Sequence, residues 1–156
     1  MPSMKYRSVL AATVLGLVSS MAALPAAAQF QRPDQAIKYR QSAMSLQNTH
    51  VGRVFAMANG RVPFDAKVAA DDIEIVAMLN RLQFSAFIEG SDKGNTKAKP
   101  EVWTEKDKFA AAVVKSQADV SKLAAAGKTG NIDQIKAAVG AVAASCKACH
   151  DAYRSE

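Results

Sequence analysis

Near the end of the chain, Ile135, Val139, Val142, Cys146, Cys149 and Tyr153 follow one another at intervals of four and three residues. That spacing is the seam of a helix packed lengthwise against other helices. Asn131, with Gln134 three residues on, caps its start. Three further stretches carry helical signals. The first opens at Pro33-Asp34, with proline in the first turn and an acid near the N-terminus, and runs to about Asn59, where Gly60 is a natural C-cap. The second follows Pro63 and Asp65 and runs to about Ile88. Val68, Ile75, Leu79, Leu82 and Ala86 form one apolar line on it, and Ile73, Val76, Phe84 and Phe87 another, a stripe wide enough to meet more than one neighbour. The third is predicted to start at Thr104, with Asp107 completing a variant of the capping box. Its line of Phe109, Val113, Ser116, Val120 and Leu123 again alternates by four and three. A tight turn at Gly127 to Gly130 then leads into the last helix. No credible strand lies between these stretches. The expectation is an all-α antiparallel four-helix bundle with mostly short loops. The exception is the Gly-, Lys- and Asn-containing segment from Glu89 to Trp103, of a length usually found in functional or mobile loops.

The first residues read differently. Lys5 and Arg7 precede a run from Val9 to Leu24 almost free of polar groups, and Ala26-Ala27-Ala28 offers small residues before Gln29. This is the pattern of a cleaved secretory signal over residues 1–28, leaving a single domain over residues 29–156. A membrane anchor is the competing reading, but the run is short for a span of about 20 residues. Removing Lys5 and Arg7 lowers the net charge from +6 to about +4. Basic and aromatic residues do not interleave as they do on a nucleic-acid surface, and no other segment is apolar enough to enter a bilayer, so neither a nucleic acid nor a membrane is expected as a partner.

Cys146-Lys147-Ala148-Cys149-His150 is the sequence pattern of c-type haem attachment. Positions i, i+3 and i+4 share one face of a helix. Two thiols on that face can add to the two haem vinyl groups while the adjacent imidazole reaches the iron. Three other readings use the same residues. A redox dithiol normally follows a strand at the start of a helix, whereas this pair sits near the end of one. A zinc site needs a fourth ligand, for which only His50 is on offer. A disulfide at this spacing inside a helix is strained. His50 also lies six residues beyond Met44, about 240° around a helix, and so points away from the Met44 face.

With the motif at the C-terminal end of a helical bundle, the chain resembles cytochrome c′ and its low-spin relatives among the class II cytochromes c. The resemblance spans the segment after the predicted signal. It rests on Gln29-Phe30, on Lys38-Tyr39-Arg40-Gln41-Ser42-Ala43-Met44, on Pro100-Glu101-Val102-Trp103, and most specifically on Ser145-Cys146-Lys147-Ala148-Cys149-His150-Asp151-Ala152-Tyr153-Arg154. It implies a homodimer of bundles, one covalent haem c inside each, His150 as proximal iron ligand, the Arg40-Gln41 pair beside the haem edge, and Met44 over the distal face.

The surrounding residues acquire expected roles from this picture. Arg40 can pair with a haem propionate, because its planar fork suits carboxylates; otherwise it is a solvated charge. Met44 either crowds the distal face and leaves iron five-coordinate, or binds it through sulfur and gives the His/Met pair of electron-transfer cytochromes. Phe84 and Phe87 line the distal pocket or belong to the core; Phe109 is expected in the core. Trp103 anchors the long loop, its N–H needing a partner. Arg154, four residues after His150, reaches back beside the proximal imidazole. The resulting expectation is a periplasmic haem protein that binds NO and CO, with electron transfer to a redox partner as the alternative or additional role. Nothing distal is arranged to cleave an O–O bond, so no enzyme activity is expected, and Met44, Phe84 and Phe87 offer no hydrogen-bond donor to a bound ligand.

Overall fold

A computed structural model of the chain describes residues 30–156; the predicted signal over residues 1–28 and Gln29 lie outside the described residues. Four long helices form the bundle: α1 (Pro33–Ala58), α2 (Ala66–Leu82), α4 (Lys106–Thr129) and α5 (Ile132–Tyr153), with a one-turn α3 (Glu101–Thr104) between the second and third of them. α1 packs on α2, α2 on α4, α4 on α5 and α5 on α1, which closes the ring of neighbours. Among the described residues the β-structure is a single bridge between Ala98 and Arg154.

The helix ends follow their local chemistry. α1 begins on Pro33 and stops in a Schellman arrangement: Gly60 N–H donates to Met57 O and Arg61 N–H to Ala56 O, and Gly60 holds φ +69°. Asp65 caps α2, its Oδ1 accepting from the backbone N–H of Lys67 and Val68. Asn131 does the same for α5 with Asp133 and Gln134. α2 ends six residues short of the expected Ile88, tightening into a 3-10 turn over Gln83–Ala86. The third long helix also departs from expectation. Pro100 starts the single turn α3, and Thr104 is spent there, its hydroxyl donating to Pro100 O. Helix α4 therefore starts at Lys106, with Glu105 as its N-cap and no side-chain cap bond. Gly127 is not part of a turn either: α4 runs through it, and a Cβ there would lie 3.0 Å from Ile73 Cδ1. The turn belongs to Gly130, at φ +64°.

The core fills the half of the bundle that ends at Val142 on α5, with Cys146 packed against its edge. Val54, Met57, Ala69, Ile73, Val76, Val120, Leu123, Ile135, Val139 and Val142 are buried together. At about 25 cal/mol per Å² of apolar surface removed from water, each larger side chain there contributes roughly 1.5–3 kcal/mol. The line of Val68, Ile75, Leu79 and Leu82 on α2 stays partly uncovered in a single chain: Val68 is 37% and Leu82 39% exposed.

Candidate cofactor site

Beyond Val142 the α5 seam leaves the core and opens onto a cavity of about 540 Å³. Its wall includes Cys146, Cys149 and His150 from α5; Arg40, Gln41 and Met44 from α1; Phe84 and Phe87 from the 3-10 turn and just beyond; and Arg154 at the rim. The residues expected at the haem thus line one space, while Trp103 does not reach it. Nor does His50: its Nδ1 lies 2.7 Å from Oδ1 of the buried Asp72.

The donor set fits a covalently attached haem. Both cysteines are free and half-buried. Burial pushes both thiols up, helped by Asp119 for Cys146 and by Cys146 for Cys149. Such thiols are poor thiolate nucleophiles, unlike those of a redox dithiol. Burial first, and then the positive charge of Arg154, push the His150 imidazole down, against a smaller opposing pull from Asp151. The net effect favours the neutral imidazole, the form whose lone pair can ligate a metal. No cluster of three or more His, Cys, Asp or Glu side chains among the described residues is arranged to hold a metal without further help. The cavity volume is in the range that takes a cofactor.

Aromatic rings form one side of the space. Phe84 stacks on Phe87 at 6.4 Å between centroids, Phe87 meets Phe109 edge-on at 5.0 Å, and Phe109 meets Tyr153 at 5.2 Å. Phe109, expected in the core, lines the cavity and is only half-buried: its helix starts so close to the loop that this first turn faces the opening.

The Glu89 to Trp103 segment is a strap across the mouth, tied at both ends. Arg40 is 2% exposed. Its Nη1 donates to Ala86 O (3.0 Å) and Ser91 Oγ (2.7 Å), and its Nη2 to Ser91 O (2.7 Å) and Thr96 Oγ1 (2.8 Å). The guanidinium lies 4.6 Å from the Phe87 ring centroid. Burial lowers its pKa to about 10, which leaves it charged at neutral pH. A propionate would have to come to Nε or displace one of these loop acceptors. Gln41 Nε2 donates to Asn95 O, and Trp103 Nε1 to Ile88 O (3.1 Å), the partner its buried N–H requires. From the other side, Lys99 N–H donates to Tyr153 O and Ser155 N–H to Lys97 O. Arg154 sits where the strap meets the chain end and also borders a smaller hollow beside His150.

A four-helix bundle that turns two thiols and an imidazole into an aromatic-walled cavity defines a class: helical-bundle proteins with a covalently held haem. Comparison with known proteins narrows it. The family model for cytochrome c′ matches residues 35–154. The chain is 54% identical over 129 residues to cytochrome c′ of Rubrivivax gelatinosus, covering 82% of this chain and all of that one. To cytochrome c′ of Alcaligenes xylosoxydans xylosoxydans it is 41% identical over 128 residues, covering 82% and 99%. The crystal structure of the Rubrivivax gelatinosus protein superposes with a TM-score of 0.80 at 55% identity, covering 81% of this chain and 100% of the other. A ferrous variant of the Alcaligenes xylosoxidans protein with bound NO superposes at 0.77 and 39% identity, covering 81% and 98%. This chain belongs to the cytochrome c′ family, and its cofactor is covalently bound haem c.

Sequence reasoning overlooked two buried polar residues of the wall, Gln47 and Gln83, and placed a third, Ser116, only on the packing line of its helix. Glutamine on a helix reads as surface. The available signal was position: Gln47 lies three residues past Met44, and Gln83 precedes Phe84.

Proposed function

We propose that this is an exported, periplasmic haem c protein whose iron binds NO and CO at an open coordination position. Cys146 and Cys149 hold the haem through thioethers and His150 supplies the proximal imidazole. The observation that carries this reading is the composition of the cavity: it offers one imidazole, and the other histidine is committed to Asp72 on a different face. Haem iron supplies the affinity for diatomic ligands, and the chain determines what reaches it. Phe84 and Phe87 exclude bulk water from the ring faces. Met44 narrows the side from which a ligand arrives. The strap, held by Arg40, covers the opening. Related proteins have been crystallised with NO and with CO, which supports the same ligands here.

A second reading has its own support. Met44 is half-buried on the cavity wall, and its thioether is a possible sixth ligand. The chain is 29% identical to a cytochrome c-554 of Cereibacter sphaeroides. Such a protein would carry electrons to an acceptor rather than bind gas. The partly uncovered Val68, Met78 and Leu82 on α2, with Leu46 on α1, support a homodimer formed through these helices. No helix among the described residues is long and apolar enough to cross a membrane, which is compatible with a periplasmic location.

The test is the visible spectrum of the holoprotein, oxidised and reduced, with and without CO. A high-spin ferrous spectrum that shifts on adding CO is expected. A sharp low-spin pair of bands unmoved by CO would replace gas binding with electron transfer through His150 and Met44.

A further inference from the structure

The inner end of the cavity is not apolar. Gln47 on α1, Gln83 at the start of the 3-10 turn and Ser116 on α4 all line it, and they are 5%, 4% and 4% exposed. Behind them Asn80, one turn before Gln83, donates from Nδ2 to Ser116 Oγ at 3.1 Å. Three amide oxygens in this layer, Gln47 Oε1, Gln83 Oε1 and Asn80 Oδ1, are buried without a hydrogen-bond partner in the protein. Buried polar side chains are nearly always bonded, because an orphaned acceptor costs about 1–3 kcal/mol. Three such acceptors, two of them on residues that line the cavity, therefore call for a donor from outside the chain.

Haem is a poor source for it. Its methyl groups and thioether carbons carry no N–H or O–H, and an ionised propionate accepts rather than donates. Among the residues expected at the haem, Met44, Phe84 and Phe87 offer no donor, and the Nη groups of Arg40 are already bonded to the strap. Water donates two hydrogen bonds, accepts two, and occupies buried sites that give it two to four polar partners. Ser116 completes such a site: its oxygen is taken by Asn80, and its own proton remains to be given.

We propose that the inner end of the cavity is a hydration site, in which Gln47, Gln83 and Ser116 hold ordered water against the buried edge of the haem. An apolar ligand moving into this part of the cavity disturbs that water and cannot replace its hydrogen bonds, so the site slows and selects what enters. The selection step rests on the gas-binding reading; the hydration itself does not.

The deciding experiment is a crystal structure of the holoprotein at a resolution that shows solvent. Water oxygens within about 3 Å of both glutamine side chains are expected. A dry site, with the amide oxygens against haem carbon, would overturn the proposal. So would a propionate placed against the glutamine nitrogens. In parallel, Gln47→Leu and Gln83→Leu should each raise the association rate of CO with the ferrous protein several-fold, and unchanged rates in both would remove the selection step. If the parent protein takes up no CO at all, the gas-binding reading fails while the crystal structure still decides the hydration.

Discussion

The two halves of the bundle share the same helices and the same seam but not the same contents. On α5, Ile135, Val139 and Val142 are fully buried against Val54, Val76 and Leu123. One turn further on the seam positions are Cys146 and Cys149, half-buried, and the space before them is empty of protein. The first half is held by dry apolar packing. In the second half that role falls to hydrogen bonds at the mouth, rings along one wall and a polar layer at the inner end. A bundle can therefore give up the core of one end to a cofactor, provided the other end is packed well enough to hold the helices in register.

The sharpest way to break this comparison is at the cysteines. Replacing both, Cys146→Ala with Cys149→Ala, should abolish covalent haem altogether, read as loss of haem signal from the denatured protein on a gel. Persistence of that signal would place the attachment elsewhere and dissolve the distinction between the halves. In the dry half, Leu123→Ala should cost about 3–4 kcal/mol of stability in denaturant unfolding, since the side chain is fully buried among neighbours that cannot collapse into the gap. The same measurement on Phe84→Ala should show a smaller loss, because that ring is only half-buried and faces the cavity. Equal losses would mean that the cavity wall is packed like the core.

At the mouth, Arg40→Ala removes four hydrogen bonds to Ala86, Ser91 and Thr96 and leaves buried acceptors behind. A cost on the order of 2–4 kcal/mol follows. It should appear as faster amide exchange in the strap and at the Ser155–Lys97 contact, with the core amides unchanged. Arg40→Lys keeps the charge but loses the planar fork, so it should recover only part of the protection. Uniform acceleration across the bundle would show that Arg40 supports the whole fold rather than the strap.

These differences also explain what could be read from the sequence. The four long helices, the cap at Asn131 and the cysteine–histidine motif are local patterns, and the structure holds all of them, with α2 ending earlier and α4 starting later than expected. Of the site residues, Cys146, Cys149 and His150 were reachable from helical spacing, whereas Arg40, Gln41 and Met44 took their roles from the resemblance to the cytochrome c′ family. What escaped depends on partners far away in sequence. Arg40 meets Ser91 and Thr96 across about fifty residues, so its role in the strap could not be separated from pairing with a propionate. Thr104 looked like a cap until α3 claimed it. Gly127 looked like a turn because the Ile73 side chain that it accommodates is on another helix. Gln47 and Gln83 carry no local mark of burial at all.

The smallest expected effect lies on the boundary between the halves. Asp119 on α4 is 2% exposed and stands close enough to Cys146 to raise that thiol. A hydrogen bond from Lys115 holds its carboxyl below the usual carboxylate range, against the opposing effect of burial, with Lys122 adding a weaker attraction. Because the folded state favours the ionised form, Asp119 stabilises the protein at pH values above the usual carboxylate pKa of about 4. That contribution fades as pH falls through the depressed folded value. The gain is modest, since the Lys115 and Lys122 side chains are 66% and 73% exposed and solvent screens them. Asp119→Asn should therefore be slightly less stable than the parent at pH 7, and the gap should narrow steadily in unfolding curves taken from pH 5 downwards. A gap that stays constant over this range would mean that the carboxylate acts only through packing and hydrogen bonds, and that its charge contributes nothing where the dry half meets the cofactor half.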